Sequence, residues 1–555
     1  MKLMGLVVMF SMILTCGCAP QAEQVTADQG FEITADIEAR RAQFVQKELT
    51  ADVSHLSDGD RTALKHLVAA ARIMDEIFTI QAWAGNRDLA QDVAALEGSQ
   101  AAKDYFRIMY GPWDRLMAFE PFLGADEHPE GAGYYPEDMG EDEFEAWIEA
   151  HPEDHEAFTS LHTMIRRDGD GLKAIPYAEF FSEELARAVV ELHAAAAATD
   201  NPSLKDFLEK RAAAFLTDDY YESDLAWMDL DSPIEVVIGP YETYEDGLFG
   251  YKAAFESFVC VAQPEDSKRL AIFKGQLPFL EKNLPIPDQH KNFNRGSDSP
   301  IRVVDEIFTG GDCRSGVQTL AFNLPNDERV REAKGSKKVL LKNIMQAKYE
   351  AILTPIAHAV LPEGKAGNLD FDAYFHFILM HELSHGLGPG KITLEGRETE
   401  VRLELKDLYS AMEEAKADAL GVLNLYVLAD SGVVSAEIIE HLPWTFTAGI
   451  FRTARFGTTE AHGLGIVMQA NYLMAKGAIA VDENGRFYPR PEKFRDAFVD
   501  LTHDLLMLQA EGSYIKAQAM VDQYGVVTPE LAAALERLTG IPVDIDPVFP
   551  LTADS

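Results

Sequence analysis

Basic residues are scarce in this chain: 49 Lys and Arg stand against 91 Asp and Glu, for a net charge of −42. Such acidity argues against nucleic-acid backbones and anionic lipid surfaces as partners. Cysteine is scarcer still, four in all, and two of these, Cys16 and Cys18, fall at the very start. Only Cys260 and Cys313 remain for the body of the protein, and sequence does not fix whether they are close enough to pair. There is no C-x-x-C, so no cysteine-based metal site is implied. No segment beyond the amino terminus reads as transmembrane, and no internal repeat is found. The acidic run from Asp126 to His155 lacks the D-x-D-x-D-G spacing of a calcium loop.

The chain is nevertheless 47% hydrophobic and 25% charged over 555 residues, the balance of a folded protein of two to four domains or one large bilobed enzyme. Its first eighteen residues, Met1 to Cys18, read as an export leader: one Lys, an apolar run Leu3–Leu14, then small residues. The run is too short to span a bilayer. Leu14-Thr-Cys-Gly-Cys18 resembles a bacterial lipoprotein signal, which would make residues 1–17 a signal peptide and Cys18 an acylated anchor on the cell envelope, facing the periplasm.

The chemistry concentrates in His381-Glu382-Leu383-Ser384-His385, an H-E-x-x-H pattern. On a helix, i and i+4 share a face, so both imidazoles can address one ion while Glu382 reaches a water on it. The preceding apolar stretch and the following Gly386, Gly388, Pro389 and Gly390 predict a buried helix that stops just after His385. Catalytic zinc takes three protein ligands and keeps one position open. A third His six residues after the second is ruled out, because Lys391 stands there. The better source is Met412-Glu-Glu-Ala-Lys-Ala-Asp418, where Glu414 and Asp418 share a helix face. Glu413 beside them can orient an imidazole through its ring N–H. Residues 391–405 are long enough to return the chain antiparallel.

Elsewhere, residues 19–35 read as a polar tether. A helix follows, capped by Ser57 and running through Trp83, with Leu64, Leu67, Ala71, Met74 and Phe78 on one stripe. Residues 182–216 read as helix. Strand-like stretches fall at 234–244, 253–261, 301–308 and 317–322, and helices resume at 335–357 and continue to about 475, with more at 492–509 and 513–523. This is a helix-rich α+β pattern with one β-containing region in the middle.

His381–His385, Glu413–Asp418, Pro240-Tyr-Glu-Thr-Tyr244 with Phe255-Glu-Ser-Phe258, Asn323-Leu-Pro-Asn326 and Glu460-Ala-His462 together resemble, in order, the blocks of the dipeptidyl peptidase III family of zinc peptidases. Tyr110–Arg115 and Ala132–Met139 resemble its bacterial branch. The family's usual motif carries one more residue between the histidines; this chain departs in having the five-residue form, which bears on the tilt of Glu382 and hence on the preferred substrate. The resemblance implies two lobes around a wide cleft, one mostly helical and zinc-binding, the other with a β-barrel. The chain then divides into the leader, a tether and first helix (18–57), a β-containing lobe with N-terminal helices (58–262 and 300–349), a helical catalytic lobe (263–299 and 350–490) and C-terminal helices and tail (491–555).

It also implies removal of dipeptides from the amino termini of short peptides. By that resemblance, His381, His385 and Glu414 hold one Zn2+ per chain, and Glu382 is the general base. Tyr244 and His462 flank the scissile carbonyl, while Glu242, Asn323 and Asn326 hold the substrate's amino terminus. Two other readings are a peptide-binding envelope lipoprotein without turnover and a zinc hydrolase of a non-peptide amide. An intact Glu382 argues against the first, since a binder needs no base.

Overall fold

The structure, a computed structural model, describes residues 24–26, 31–293 and 300–552. The leader, with Cys16 and Cys18, lies outside the described residues. Among the described residues, no helix is long and apolar enough to cross a membrane.

The long helix α1 (Asp58–Ala82) begins where Ser57 Oγ accepts the Asp60 amide at 3.0 Å. Its buried stripe, including Leu64, Leu67, Ala71, Met74 and Phe78, lies against a sheet and against α2 (Ser182–Ala198). His66 is a surface residue of α1, paired at 2.8 Å with Glu191 of α2. The sheet has five strands: β1 (Ile234–Glu242), β2 (Ala254–Ala262), β3 (Ile301–Gly311), β4 (Ala321–Leu324) and β5 (Lys337–Leu341). Their order is β4-β5-β3-β2-β1, with only β3 and β5 parallel. The expected barrel is represented by this sheet, whose outer strands β1 and β4 do not pair with each other among the described residues. Every residue of β2, the strand between β3 and β1, is buried, as a strand covered on both faces requires.

Three expectations are corrected here. Residues 335–357 are not all helix, because β5 precedes the helix Lys342–Lys348 with no intervening turn. The strand expected at 317–322 runs over Ala321–Leu324. The tether is shorter than residues 19–35: Glu32–Thr34 is a strand with Ile33 buried. The carboxyl-terminal stretch also returns to the start of the chain, since Asp544–Val548 pairs in parallel with Phe44–Glu48. That return is fastened by Asp544, which accepts from Lys348 Nζ at 2.8 Å with both side chains buried.

The helical part is built around α4 (Tyr409–Asp430). It is buried on nearly every face and packed by α3 (Phe371–Ser384), α5 (Ala436–Ala454), α6 (Ala461–Ala475) and α7 (Pro491–Ala510). A helix apolar all round belongs at the centre of a bundle. Small residues let its neighbours come close. A Cβ on Gly421 would sit 3.1 Å from the His381 amide nitrogen, and one on Gly465 of α6 would sit 3.3 Å from the Ala411 carbonyl oxygen. The crossings that bring α3 and α6 to α4 thus depend on glycine.

Candidate metal centre and active site

Asp370 caps α3, accepting from the Ala373 amide at 2.8 Å, and the helix ends at Ser384, so His381 and His385 emerge from its last turn. The chain turns there because Lys416 of α4 reaches the carbonyl oxygens of Ser384, His385 and Leu387 at 3.2, 3.2 and 3.3 Å. A cation at these orphan carbonyls stabilises a helix carboxyl terminus. Asn424 adds a bond to Ser384 Oγ at 3.0 Å. Residues 391–405, left open as a connection, contain a hairpin of Lys391–Leu394 with Arg397–Glu400.

Helix α4 approaches antiparallel: its Asp418 meets His381, and its Glu413 meets His385. Asp418 Oδ1 lies 2.7 Å from His381 Nδ1 and Glu413 Oε1 lies 3.0 Å from His385 Nδ1. Each carboxylate places the ring proton on Nδ1 and turns the Nε2 lone pair inward. The two Nε2 atoms stand 3.1 Å apart, with Glu414 Oε2 3.3 and 3.8 Å from them. Donors 2.0–2.1 Å from a tetrahedral zinc are separated by about 3.3 Å. Glu414 Oε2 is buried, and it faces imidazole nitrogens on more than one side, with His381 Nε2 at 3.3 Å and His462 Nε2 at 3.2 Å. Around this point stand the carboxylates of Glu382, Glu413, Glu414 and Asp418 and the ammonium groups of Lys338 and Lys416, which leaves two negative charges for a dication to balance. The donor set therefore fits zinc.

Two carboxylates compete for the role of third ligand, since an oxygen of Glu382 also lies within 4.8 Å of both imidazoles. Their partners separate them: Glu382 Oε2 accepts from Lys338 Nζ at 2.9 Å, whereas Glu414 Oε2 faces the imidazole nitrogens of His381, His385 and His462. Burial opposes ionisation of Glu382, but Lys338 together with the imidazoles of His381 and His385 outweighs it and holds the carboxyl below its usual range. The same contest at Glu413 is won by Lys416 and His385, which bring it down to about 2. At His381, burial is outweighed by Asp418, lifting the imidazole to about 10 in the metal-free protein. At His385, burial prevails and depresses it. Outside these, Gln469 Nε2 donates to Asp418 Oδ2 at 2.9 Å and Gln509 Nε2 to Glu413 Oε2 at 3.1 Å. Both orienting carboxylates are thereby held at their second oxygen.

The centre opens on a cavity of about 820 Å³ lined by Glu414 and, from the sheet side, by Glu242, Tyr244, Asn323 and Asn326. Asn326 Nδ2 donates to Glu242 Oε1 at 3.2 Å and to the Tyr241 carbonyl at 3.0 Å. Tyr244, just past the end of β1, is 86% exposed, and the neighbouring Glu242 charge raises its hydroxyl pKa, keeping it a donor. His462, in the first turn of α6, places Nε2 3.2 Å from Glu414 Oε2, and that contact raises its pKa. All the candidate site residues from the sequence thus fall either on the metal centre or on this one cavity.

One further histidine on α3 and the two cysteines lie outside the centre. His376 is buried against Phe273, with Nδ1 2.6 Å from the Asp372 carbonyl oxygen. Cys260 and Cys313 are both free thiols. Sequence reasoning missed Lys338, Lys416, Gln469 and Gln509. Only Lys416 carried a cue, its i, i+3 spacing from Glu413, which it meets at 2.6 Å.

Residues 140–420 match the model of Peptidase family M49. The fold superposes on DPP III from Caldithrix abyssi with a TM-score of 0.90 at 50% identity, covering 93% of this chain and 99% of that one. The chain belongs to peptidase family M49. Dipeptidyl-peptidase III from Corallococcus sp. strain EGB is also similar, with a TM-score of 0.78 at 42% identity over 93% of this chain and 98% of that one. Nudix hydrolase 3 of Arabidopsis thaliana is 39% identical over 560 residues, 91% of this chain and 72% of the plant protein. As an M49 enzyme of the dipeptidyl peptidase III type, the protein is a zinc metallopeptidase, an exopeptidase with two lobes about its cleft.

Proposed function

We propose that this peptidase releases dipeptides from the free amino termini of short peptides, using one zinc ion per chain held by His381, His385 and Glu414. The observation that carries this reading is the placement of the Glu242–Asn326 pair and the Glu414 carboxylate on the walls of one cavity. An ammonium group needs a carboxylate and amide oxygens at one end, and hydrolysis needs the metal at the other.

Bound zinc supplies a Lewis acid for the peptide carbonyl and lowers the pKa of a water toward 7. The protein's own groups do the rest. Glu242 and the two asparagines fix the ammonium and so set which peptide bond reaches the centre. Glu382 accepts a proton from the attacking water as the new C–O bond forms. It then delivers that proton to the amide nitrogen as the C–N bond breaks, so the products are a carboxylic acid, which passes its proton to the amine or to solvent, and the amine of the shortened peptide. Tyr244 and His462 donate hydrogen bonds to the carbonyl oxygen as it gains charge, and one such donor is typically worth about 100- to 1000-fold in rate.

The leader supports a place on the cell envelope, facing the periplasm, with a lipid on Cys18 as the link to the membrane. The net charge of −42 supports peptides rather than nucleic acid as partners.

The test is hydrolysis of a tetrapeptide with a free amino terminus beside its acetylated form. Release of the amino-terminal dipeptide from the free form alone supports the reading. Equal cleavage of both removes the ammonium clamp, and cleavage of neither by zinc-loaded protein favours binding without turnover.

A further inference from the structure

Lys338 is drawn into the site from the opposite side of the cleft. It lies in β5, where successive side chains face opposite ways. Its neighbour Lys337 turns inward and is fully committed there, at 2.8 Å from both Glu235 Oε1 and the Trp227 carbonyl oxygen. Lys338 turns the other way and meets Glu382 twice: Nζ donates to Oε2 at 2.9 Å and to the backbone carbonyl at 2.8 Å. That carbonyl belongs to the last turn of α3, where the helix has no further amide to offer it. One ammonium therefore fixes both ends of the Glu382 residue. Among the described residues, Oε1 of Glu382 has no hydrogen-bond partner, so the pinned carboxylate keeps one oxygen free.

The sheet register adds a second relation. Lys338 stands directly opposite Asn323 in the β4–β5 ladder. Opposed residues in an antiparallel pair project to the same face, with Cβ atoms about 4.5–5.5 Å apart. Asn323 lines the cleft. The same rung thus carries one residue of the ammonium clamp and the group that holds the base.

We propose that Lys338 is a positioning residue for the hydrolysis: it holds the Glu382 carboxylate, from the sheet side of the cleft, at the place where its free oxygen takes the proton of the attacking water. This rests on Glu382 being the base. A displaced base loses rate on the order of 100-fold without loss of substrate binding.

Lys338→Met keeps the length of the side chain and removes the charge, and Lys338→Arg restores the charge. Both, with wild type and Glu382→Gln, are assayed as full-length zinc-loaded protein for kcat, KM and zinc content on one peptide substrate. The proposal expects Lys338→Met to lose on the order of 100-fold in kcat with KM and zinc content unchanged, and Lys338→Arg to recover at least tenfold of that loss. Wild-type kcat in Lys338→Met beside an inactive Glu382→Gln overturns the role of Lys338 alone. A loss in Lys338→Met accompanied by lost zinc, and not recovered by Arg, also overturns it, because the lysine is then structural. Wild-type kcat in Glu382→Gln overturns the assignment of the base itself.

Discussion

His381 Nδ1 lies 2.7 Å from Asp418 Oδ1, and the far oxygen of Asp418 is held at 2.9 Å by Gln469. A ring nitrogen that must donate outward leaves its other nitrogen free to bind a metal, so Asp418 sets the tautomer that the proposed ligand His381 needs. Glu413 does the same for His385, with Lys416 and Gln509 as its supports.

The first prediction follows from that pairing. Asp418→Asn keeps the shape but loses the charge that makes the imidazole a strong ligand. Zinc affinity falls about 10- to 100-fold, the usual effect of removing such a partner. Competition with a chelator of known affinity measures it. Unchanged affinity would mean that the orientation of His381 is set by helix packing alone.

A second prediction concerns Glu306 on β3, which is buried, with Oε1 lacking a partner. Burial raises its pKa from 4.5 to about 8, against the opposing effect of Arg314 and Lys348. The folded protein therefore holds this proton more tightly than the unfolded chain. The contribution is fully present below about pH 4.5 and is lost as pH rises toward 8, at up to about 1.4 kcal/mol per pH unit. Glu306→Gln should flatten that part of the stability curve and raise stability most near pH 8. Denaturant unfolding between pH 5 and 8 checks it. Parallel curves for the two proteins would show that Glu306 ionises freely in the fold.

The metal centre was legible in sequence because both of its halves are local patterns. H-E-x-x-H and Glu-Glu-Ala-Lys-Ala-Asp each place their chemistry on one helix face. What brings the halves together was not legible. Gly421 looks like an unfavourable residue mid-helix until α3 is seen lying against it. The strand β5 was hidden because Lys337-Lys-Val-Leu-Leu341, two lysines and three apolar residues leading directly into a helix, is too short to show a period that separates strand from helix. Lys338 was hidden with it, since a lysine in a supposed helix carries no hint of a carboxylate 44 residues further on. The pairing of Asp544–Val548 with Phe44–Glu48 joins the two ends of the chain, and nothing local announces that.

The central claim is that two antiparallel helices gather His381, His385 and Glu414 around one zinc ion. Metal analysis of wild type and Glu414→Ala, both purified without added metal and dialysed against a weak chelator, tests it most directly. The account predicts one zinc per chain in the wild type and well under one in Glu414→Ala, with the variant still folded by circular dichroism. Full zinc occupancy in folded Glu414→Ala would contradict it.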